Sequence, residues 1–250
     1  MLENTELINT ISHIATLAGQ EIMAVYTNTG SIAVSNKADD SPLTEADTRA
    51  NKLICTELQR LTPAIPIVSE ENPLAPFAQR QQWQEYWLID PLDGTKEFVD
   101  RNGEFTVNIA LIRNGVPVLG VVHAPVLKTS WLGIIGLGAW KRGESEALEH
   151  IKACAFEDEL FKSTIKVVAS RRHGSAALES MLDLLATRFA AVEMLNVGSS
   201  LKLCMLAEGK ADFYPRLAPT SEWDTAAGQA VLEAAGGKVM KTDFSTLGYN

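Results

Sequence analysis

The spacing of apolar positions changes along the chain, and each change predicts a different kind of element. Over residues 6–26, Leu7, Ile8, Ile11, Ala15, Ala18, Ile22 and Val25 recur at helical spacing, which predicts an amphipathic helix. A second helix follows Thr44 and carries Ala46, Ala50, Leu53, Ile54 and Leu58 on one face. From Ile65 onward the pattern shortens to the runs AIPIV, YWLID, FTVNIALI and VPVLGVVHA, separated by Asn-Gly, Gly and Pro. These predict a mostly antiparallel sheet, to which the stretch from Trp131 to Trp140 adds another pair of strands. Beyond a charged segment from Glu144 to Lys162, KVVAS, AVEMLNV and ADFYPRL read as strands. They alternate with helices at LESMLDLLATRF, SLKLCMLAEG and WDTAAGQAVLEAAG, the pattern of a smaller α/β unit. The chain is therefore expected to divide near residue 160. Residues 1–160 would form an α+β domain with a large antiparallel-rich sheet, and residues 161–250 a smaller C-terminal α/β domain.

Composition narrows the class. With 46% hydrophobic and 21% charged side chains among 250 residues, the chain matches a soluble globular protein whose core needs no covalent staples. Its 22 basic and 31 acidic side chains leave a formal charge of −9, a field that repels nucleic acid, anionic lipid and free phosphorylated metabolites alike. A phosphate-bearing substrate would have to meet local positive charge, and bound metal cations could supply it. Cys55, Cys154 and Cys204 are too few and too scattered for a disulfide framework or a thiolate metal site. They read as buried reduced thiols in a reducing cytosol. The opening MLENTELINT lacks the basic-then-apolar layout of a secretory signal. No uncharged run reaches the ~20 apolar residues of a membrane span, and the stretch 114–127 is broken by Pro117 and Pro125. No protein partner is implied.

The segment from Trp87 to Phe98 carries the chemistry. An apolar strand there runs directly into Asp90, Asp93, Gly94 and Thr95. Pro91 and Gly94 predict a tight turn in which both aspartates face one point and the Leu92 carbonyl turns outward. Oxygen ligands of this kind suit a hard cation such as Mg²⁺. The backbone N–H groups of Gly94 and Thr95, at the start of a short helix, offer an anion a place beside it. Each acid also has a plainer reading. Asp90 and Asp93 fit a turn, Asp224 fits a helix N-terminus, and Thr44 with Asp47 fits a capping pattern. Their joint occurrence favours the site, because Glu70 and Glu71 follow the run IPIVS and Asp224 opens the last helix. No Ser-His-Asp or Cys-His nucleophile pattern is present, and His13, His123 and His150 lack metal-ligand spacing. Gly136-Leu-Gly138 reads as a hairpin rather than a phosphate loop.

SEE at 69–71, DPLDGT at 90–95 and EWDTAAG at 222–228 occur in that order across most of the chain. Together they resemble the signature motifs of the lithium-sensitive inositol monophosphatase superfamily. The resemblance implies an αβαβα sandwich of the inositol monophosphatase and sugar phosphatase type, with the site between the two domains. It also implies a pair of Mg²⁺ ions, with a third open. Glu70, Asp90 and the Leu92 carbonyl would hold the first, and Asp90, Asp93 and Asp224 the second. Thr95 with Glu70 would position the attacking water, and Asp47 would accept from the Thr95 hydroxyl. Glu70, Leu92, Asp93, Gly94, Thr95 and Asp224 would face the cleaved phosphate.

Lys96-Glu97-Phe98, Ser170-Arg-Arg-His173, Gly198-Ser-Ser-Leu-Lys202 and Tyr214-Pro-Arg216 resemble one branch of that superfamily, the bisphosphate nucleotidases. That branch implies hydrolysis of the 3′-phosphate of 3′-phosphoadenosine 5′-phosphate to AMP and phosphate. Ser199, Lys202 and Arg216 would hold the second phosphate, and His173 would contact the nucleotide. An inositol or sugar monophosphatase on the same scaffold is the alternative. A metal-dependent nucleotide sensor without turnover is another, against which the presence of Glu70 and Thr95 argues. The resemblance further implies a cytoplasmic protein, with peripheral attachment to the cytoplasmic face of the membrane open. It also implies one more apolar segment than is found after Asn250.

Overall fold

In the computed structural model, residues 4–28, 34–36 (backbone only), 42–155, 163–170 and 176–250 are described. The elements are α1 (Asn4–Tyr26), β1 (Val34–Asn36), β2 (Pro42–Thr44), α2 (Glu45–Leu61), β3 (Ile67–Ser69), α3 (Phe77–Arg80), β4 (Glu85–Asp93) and α4 (Thr95–Val99). There follow β5 (Thr106–Arg113), β6 (Val116–Ala124), β7 (Thr129–Ile134), β8 (Gly138–Arg142) and β9 (Leu148–Ile151). The chain continues with β10 (Thr164–Ala169), α5 (Ala176–Ala186), β11 (Ala191–Asn196), α6 (Leu201–Ala207) and α7 (Glu222–Ala234).

Strands β3 to β9 form one seven-stranded sheet in chain order. All its pairs are antiparallel except β3 with β4. Successive side chains of a strand point to opposite faces, and here both faces are apolar. Trp87, Ile89, Ile109, Leu111 and Val121 pack with Ile11, Ala18, Ile54 and Leu58 of α1 and α2. Tyr86, Leu88, Ala110, Ile112 and Val122 pack with Leu203, Cys204, Ala227 and Val231 of α6 and α7. Each large side chain so buried contributes roughly 1.5–3 kcal/mol. A parallel pair, β10 with β11, lies beyond. Val168 joins the core of α6 and α7, whereas Ile165 and Val167 meet Leu182, Leu185 and Phe189 on the α5 side. The layers are therefore helices, large sheet, helices, small sheet and helix, the αβαβα sandwich expected.

Helix α7 seats on the sheet through two glycines. Gly120 of β6 and Gly133 of β7 are cross-strand partners. A Cβ at Gly120 would lie 2.3 Å from the Ala227 carbonyl oxygen, and one at Gly133 2.5 Å from the Ala230–Val231 backbone at Val231 Cα. No side chain fits between helix and sheet there. The core on this face thus draws on residues from both sides of position 160.

Several expectations change. The turn expected over 90–94 is a strand: β4 runs through Asp93, and its pairing with β5 shifts between Asp90 and Asp93. A bulge re-aims the two carboxylates where a turn was predicted. ADFYPRL is not a strand, since only Phe213 pairs, with Val167, and Pro215 cannot donate to a ladder. The segment taken as a charged connector contains β9, which pairs with β8. Cys204 is buried and Cys55 half-buried, but Cys154 is exposed, because it follows β9 at the sheet margin. His123 is a core residue whose Nδ1 lies 2.8 Å from Ser130 Oγ, and burial lowers its pKa to about 4. Among the described residues no helix is long and apolar enough to cross a membrane.

Candidate active site

The acidic residues converge because their strands end together. With β3 and β4 parallel, Glu70 N–H donates to the Ile89 carbonyl at 3.2 Å, which sets Glu70 beside Asp90. Asp90 is buried, and its Oδ1 accepts from Leu92 N at 3.0 Å. Past the bulge comes Asp93, then Gly94 at φ +93°, a conformation that costs glycine little and other residues more. It turns the chain into α4.

Burial pushes the Asp90 carboxyl well above the usual range, reinforced by the carboxylates of Glu70, Asp93 and Asp224. Asp224 is pushed up to about 6, first by burial and then by Asp93, with Ser221 and Thr220 opposing. Four carboxylates therefore share one field. Among the described residues, no three His, Cys, Asp or Glu side chains stand at the spacing of a closed metal centre. The arrangement is one of neighbouring carboxylates, not of a formed coordination sphere.

The chain's own hydrogen bonds leave these acids asymmetric. Asp93 accepts on Oδ2 from Ser200 Oγ at 2.7 Å and from Asn108 Nδ2 at 3.3 Å. Asp224 accepts on Oδ2 from Ser221 N at 3.0 Å and Thr220 Oγ1 at 2.8 Å. In both, one oxygen is held by the chain. Asp47 divides its two oxygens between two tasks. Oδ2 accepts from Thr44 N and Thr44 Oγ1 as part of a capping box for α2. Oδ1 lies 3.3 Å from Thr95 Oγ1, which also lies 3.3 Å from the Leu92 carbonyl. The cap and the contact with Thr95 coexist.

One cleft is lined by Asp93, Lys96, Glu97, Ser170, Ser199, Lys202, Tyr214, Arg216 and Asp224. Lys202 is 7% exposed. Its Nζ donates to the Ser199 carbonyl at 2.6 Å and lies 5.5 Å from the Tyr214 ring centroid. Burial lowers its pKa, and Asp93 is the first influence opposing that. Arg216 Nη2 donates to the Pro219 carbonyl at 2.8 Å, while its buried Nε has no hydrogen-bond partner among the described residues. A buried donor without an acceptor is costly, and an anion in the cleft would remove the cost.

Of the residues predicted from sequence, Glu70, Asp90, Asp93 and Asp224 share one electrostatic cluster, and Asp47, Leu92 and Thr95 are linked by hydrogen bonds. Ser199, Lys202 and Arg216 line the cleft with Asp93 and Asp224. His173 lies outside the described residues. Sequence reasoning passed over Asn108 and Thr220. Only Asn108 carried a signal, as the single amide in the apolar run FTVNIALI.

The donor set fits a hard divalent cation. It offers only oxygens, concentrates negative charge around the buried Asp90 carboxyl, and leaves one oxygen of Asp93 and of Asp224 outside the hydrogen bonds among the described residues.

The chain is similar to known proteins over most of its length. A family profile described as "Inositol monophosphatase family" matches residues 3–248. The 3′(2′),5′-bisphosphate nucleotidase CysQ of Salmonella typhimurium is 46% identical over 243 residues, covering 97% of this chain and 94% of that protein. The protein of the same description from Escherichia coli is 45% identical with the same coverage. Among solved structures, CysQ from Bacteroides thetaiotaomicron is 40% identical with a TM-score of 0.77, covering 91% of this chain and 86% of that one. An inositol monophosphatase from Anabaena is 27% identical with a TM-score of 0.73, covering 97% and 86%.

Proposed function

Because the chain belongs to the inositol monophosphatase family, we propose that it is a Mg²⁺-dependent 3′(2′),5′-bisphosphate nucleotidase. It hydrolyses the 3′-phosphate of 3′-phosphoadenosine 5′-phosphate to AMP and phosphate, in the cytoplasm. The observation that carries this reading is a single cleft in which Asp93 and Asp224 stand with Lys202 and Arg216. A bisphosphate presents two anionic groups, one for the metal carboxylates and one for separate cations. The relatives described as bisphosphate nucleotidases support the same assignment.

Glu70, Asp90 and the Leu92 carbonyl would hold one cation, and Asp90, Asp93 and Asp224 another, with a third relying mainly on Glu70. Cations bound there would supply a lowered pKa for a water and charge stabilisation for the attacking and leaving oxygens. The remaining roles belong to the chain. Thr95, with its hydroxyl proton directed to Asp47, turns its oxygen lone pairs toward the water, and Glu70 fixes the water from another direction. Backbone N–H groups at Gly94 and Thr95 face the phosphate. Ser199, Lys202 and Arg216 bind the phosphate that is not cleaved, and His173 contacts the nucleotide.

Substrate preference tests this reading. Lys202→Ala and Arg216→Ala each remove a charge-assisted contact of roughly 1.5–3 kcal/mol, a loss of about 10- to 150-fold in kcat/KM for the bisphosphate. The contact is made equally in ground and transition states, so the loss falls mainly on KM. Hydrolysis of 3′-AMP, which lacks the second phosphate, is unchanged in Arg216→Ala and falls less than that of the bisphosphate in Lys202→Ala, whose Nζ also holds the Ser199 carbonyl. Equal losses on both substrates would show that these cations support the fold or the metal carboxylates instead.

A further inference from the structure

One buried hydroxyl links four elements that are distant in sequence. Ser200, 3% exposed, stands at the entry to α6. Its Oγ lies 2.7 Å from Asp93 Oδ2 on β4 and 2.9 Å from the Asp224 carbonyl on α7. It accepts from Asn108 Nδ2 of β5 at 2.8 Å. The orientation of Asn108 is fixed in turn, because its Oδ1 accepts from Thr106 Oγ1 at 3.1 Å, which leaves Nδ2 to face Ser200 and Asp93.

The backbone that delivers Ser200 is held in an uncommon conformation. Ser199 has φ +47°, a left-handed geometry that persists in a residue with a side chain only where the surroundings enforce it. Two contacts enforce it. Lys202 Nζ donates to the Ser199 carbonyl at 2.6 Å, and Gly198 N donates to Glu104 Oε2 at 2.8 Å. Any Cβ at Gly198 would lie 2.8 Å from Glu97 Cγ, so the turn is pinned against the segment that follows DPLDGT.

We propose that Ser200, with Asn108 behind it, is the positioning residue that fixes the Asp93 carboxylate and its separation from Asp224, and so sets the protein's affinity for a divalent cation. This rests on the reading of Asp93 and Asp224 as cation ligands. A donor that occupies Oδ2 stops the carboxylate rotating and leaves Oδ1 aimed at the cation. The single hydroxyl proton is shared between Asp93 Oδ2 and the Asp224 carbonyl, which draws the N-terminal turn of α7, and hence Asp224, to the same hydroxyl. Partners of this kind orient metal ligands, and removing one typically weakens metal binding by about 10- to 100-fold.

The test is calorimetric titration of Mn²⁺ into the metal-free protein without substrate, alongside a thermal melt of the same samples. Ser200→Ala is expected to bind Mn²⁺ about 10- to 100-fold more weakly while melting close to wild type. Ser200→Thr, which keeps the hydroxyl, restores most of the affinity. Asn108→Ser leaves the strained turn untouched and shortens the reach to Asp93, so weaker binding is expected there too. It carries the test if Ser200→Ala does not fold. Wild-type affinity in Ser200→Ala, or in Asn108→Ser where that variant carries the test, would overturn the proposal while the metal reading stands. Failure of the wild-type protein to bind Mn²⁺ would overturn both.

Discussion

Replacing Asp224 by Asn is expected to leave a folded protein that releases phosphate more slowly by on the order of 10³-fold. The substitution is nearly isosteric, and an amide oxygen in place of Oδ2 can still accept from Ser221 N and Thr220 Oγ1, so the start of α7 keeps its cap. What is lost is one of the negative charges that would hold a cation. Asp93→Asn should behave alike, because its amide oxygen can still accept from Ser200 Oγ. The two effects, on turnover and on stability, separate cleanly. In the absence of metal, the carboxylates of Asp93 and Asp224 both push the Asp90 carboxyl upward, and Asp93 does the same to Asp224, so removing either relieves repulsion. The metal-free variants should melt no lower than wild type. Turnover near the wild-type rate in either variant would contradict the ligand assignment, and a collapsed melting transition would mean the acids are there for the fold.

Gly120→Ala is expected to produce the largest loss of stability of any single methyl added to the large sheet. Its Cβ would stand 2.3 Å from the Ala227 carbonyl oxygen and 2.7 Å from Ala230 Cβ. The obstacle is helix backbone, not the end of a flexible side chain. Relief requires α7 to move off the sheet, which costs roughly 3 kcal/mol or more. For a chain of this size each kcal/mol lowers Tm by about 2–4 °C, so a drop of roughly 6–12 °C follows. Because α7 carries Asp224 in its first turn, divalent-cation affinity should fall as well. Gly143→Ala is the control, since a Cβ there meets nothing within 4 Å. Equal melting temperatures for the two variants would mean that α7 does not seat on the sheet as described.

Much of this architecture was legible from local pattern. The periodicity of Ile8 to Ile22 and of Ala46 to Leu58 located α1 and α2, and the short β-rich runs FTVNIALI and VPVLGVVHA, bounded by turn residues, located the central strands. What escaped was whatever depended on residues far apart in sequence. Strand β9 has one buried apolar side chain, Ile151, and shows itself only by pairing with β8. ADFYPRL has the composition of a strand, but Pro215 removes the donor that a second ladder position would need. The bulge between Asp90 and Asp93 mimics a turn in composition, since Pro and Gly serve both.

The site shows the same division. Glu70, Asp90, Asp93 and Asp224 were visible as acids at the ends of elements. For Asp47, capping and a contact with Thr95 looked like alternatives; the structure gives Oδ2 to the cap and places Oδ1 3.3 Å from the Thr95 hydroxyl. Ser200 and Asn108 were not legible as partners of Asp93, because nothing periodic links positions 93, 108 and 200. Gly120 and Gly133 read as ordinary strand glycines until α7 is placed across them.

The central claim is that this cleft hydrolyses a nucleotide bisphosphate with the help of divalent metal. Phosphate release measured in parallel from 3′-phosphoadenosine 5′-phosphate and from inositol 1-phosphate, with Mg²⁺ and after chelation, tests it most directly. The account predicts rapid release from the bisphosphate, little from the inositol ester, loss of both on chelation and recovery when Mg²⁺ is returned. Faster release from inositol 1-phosphate, or release that persists without metal, would contradict it.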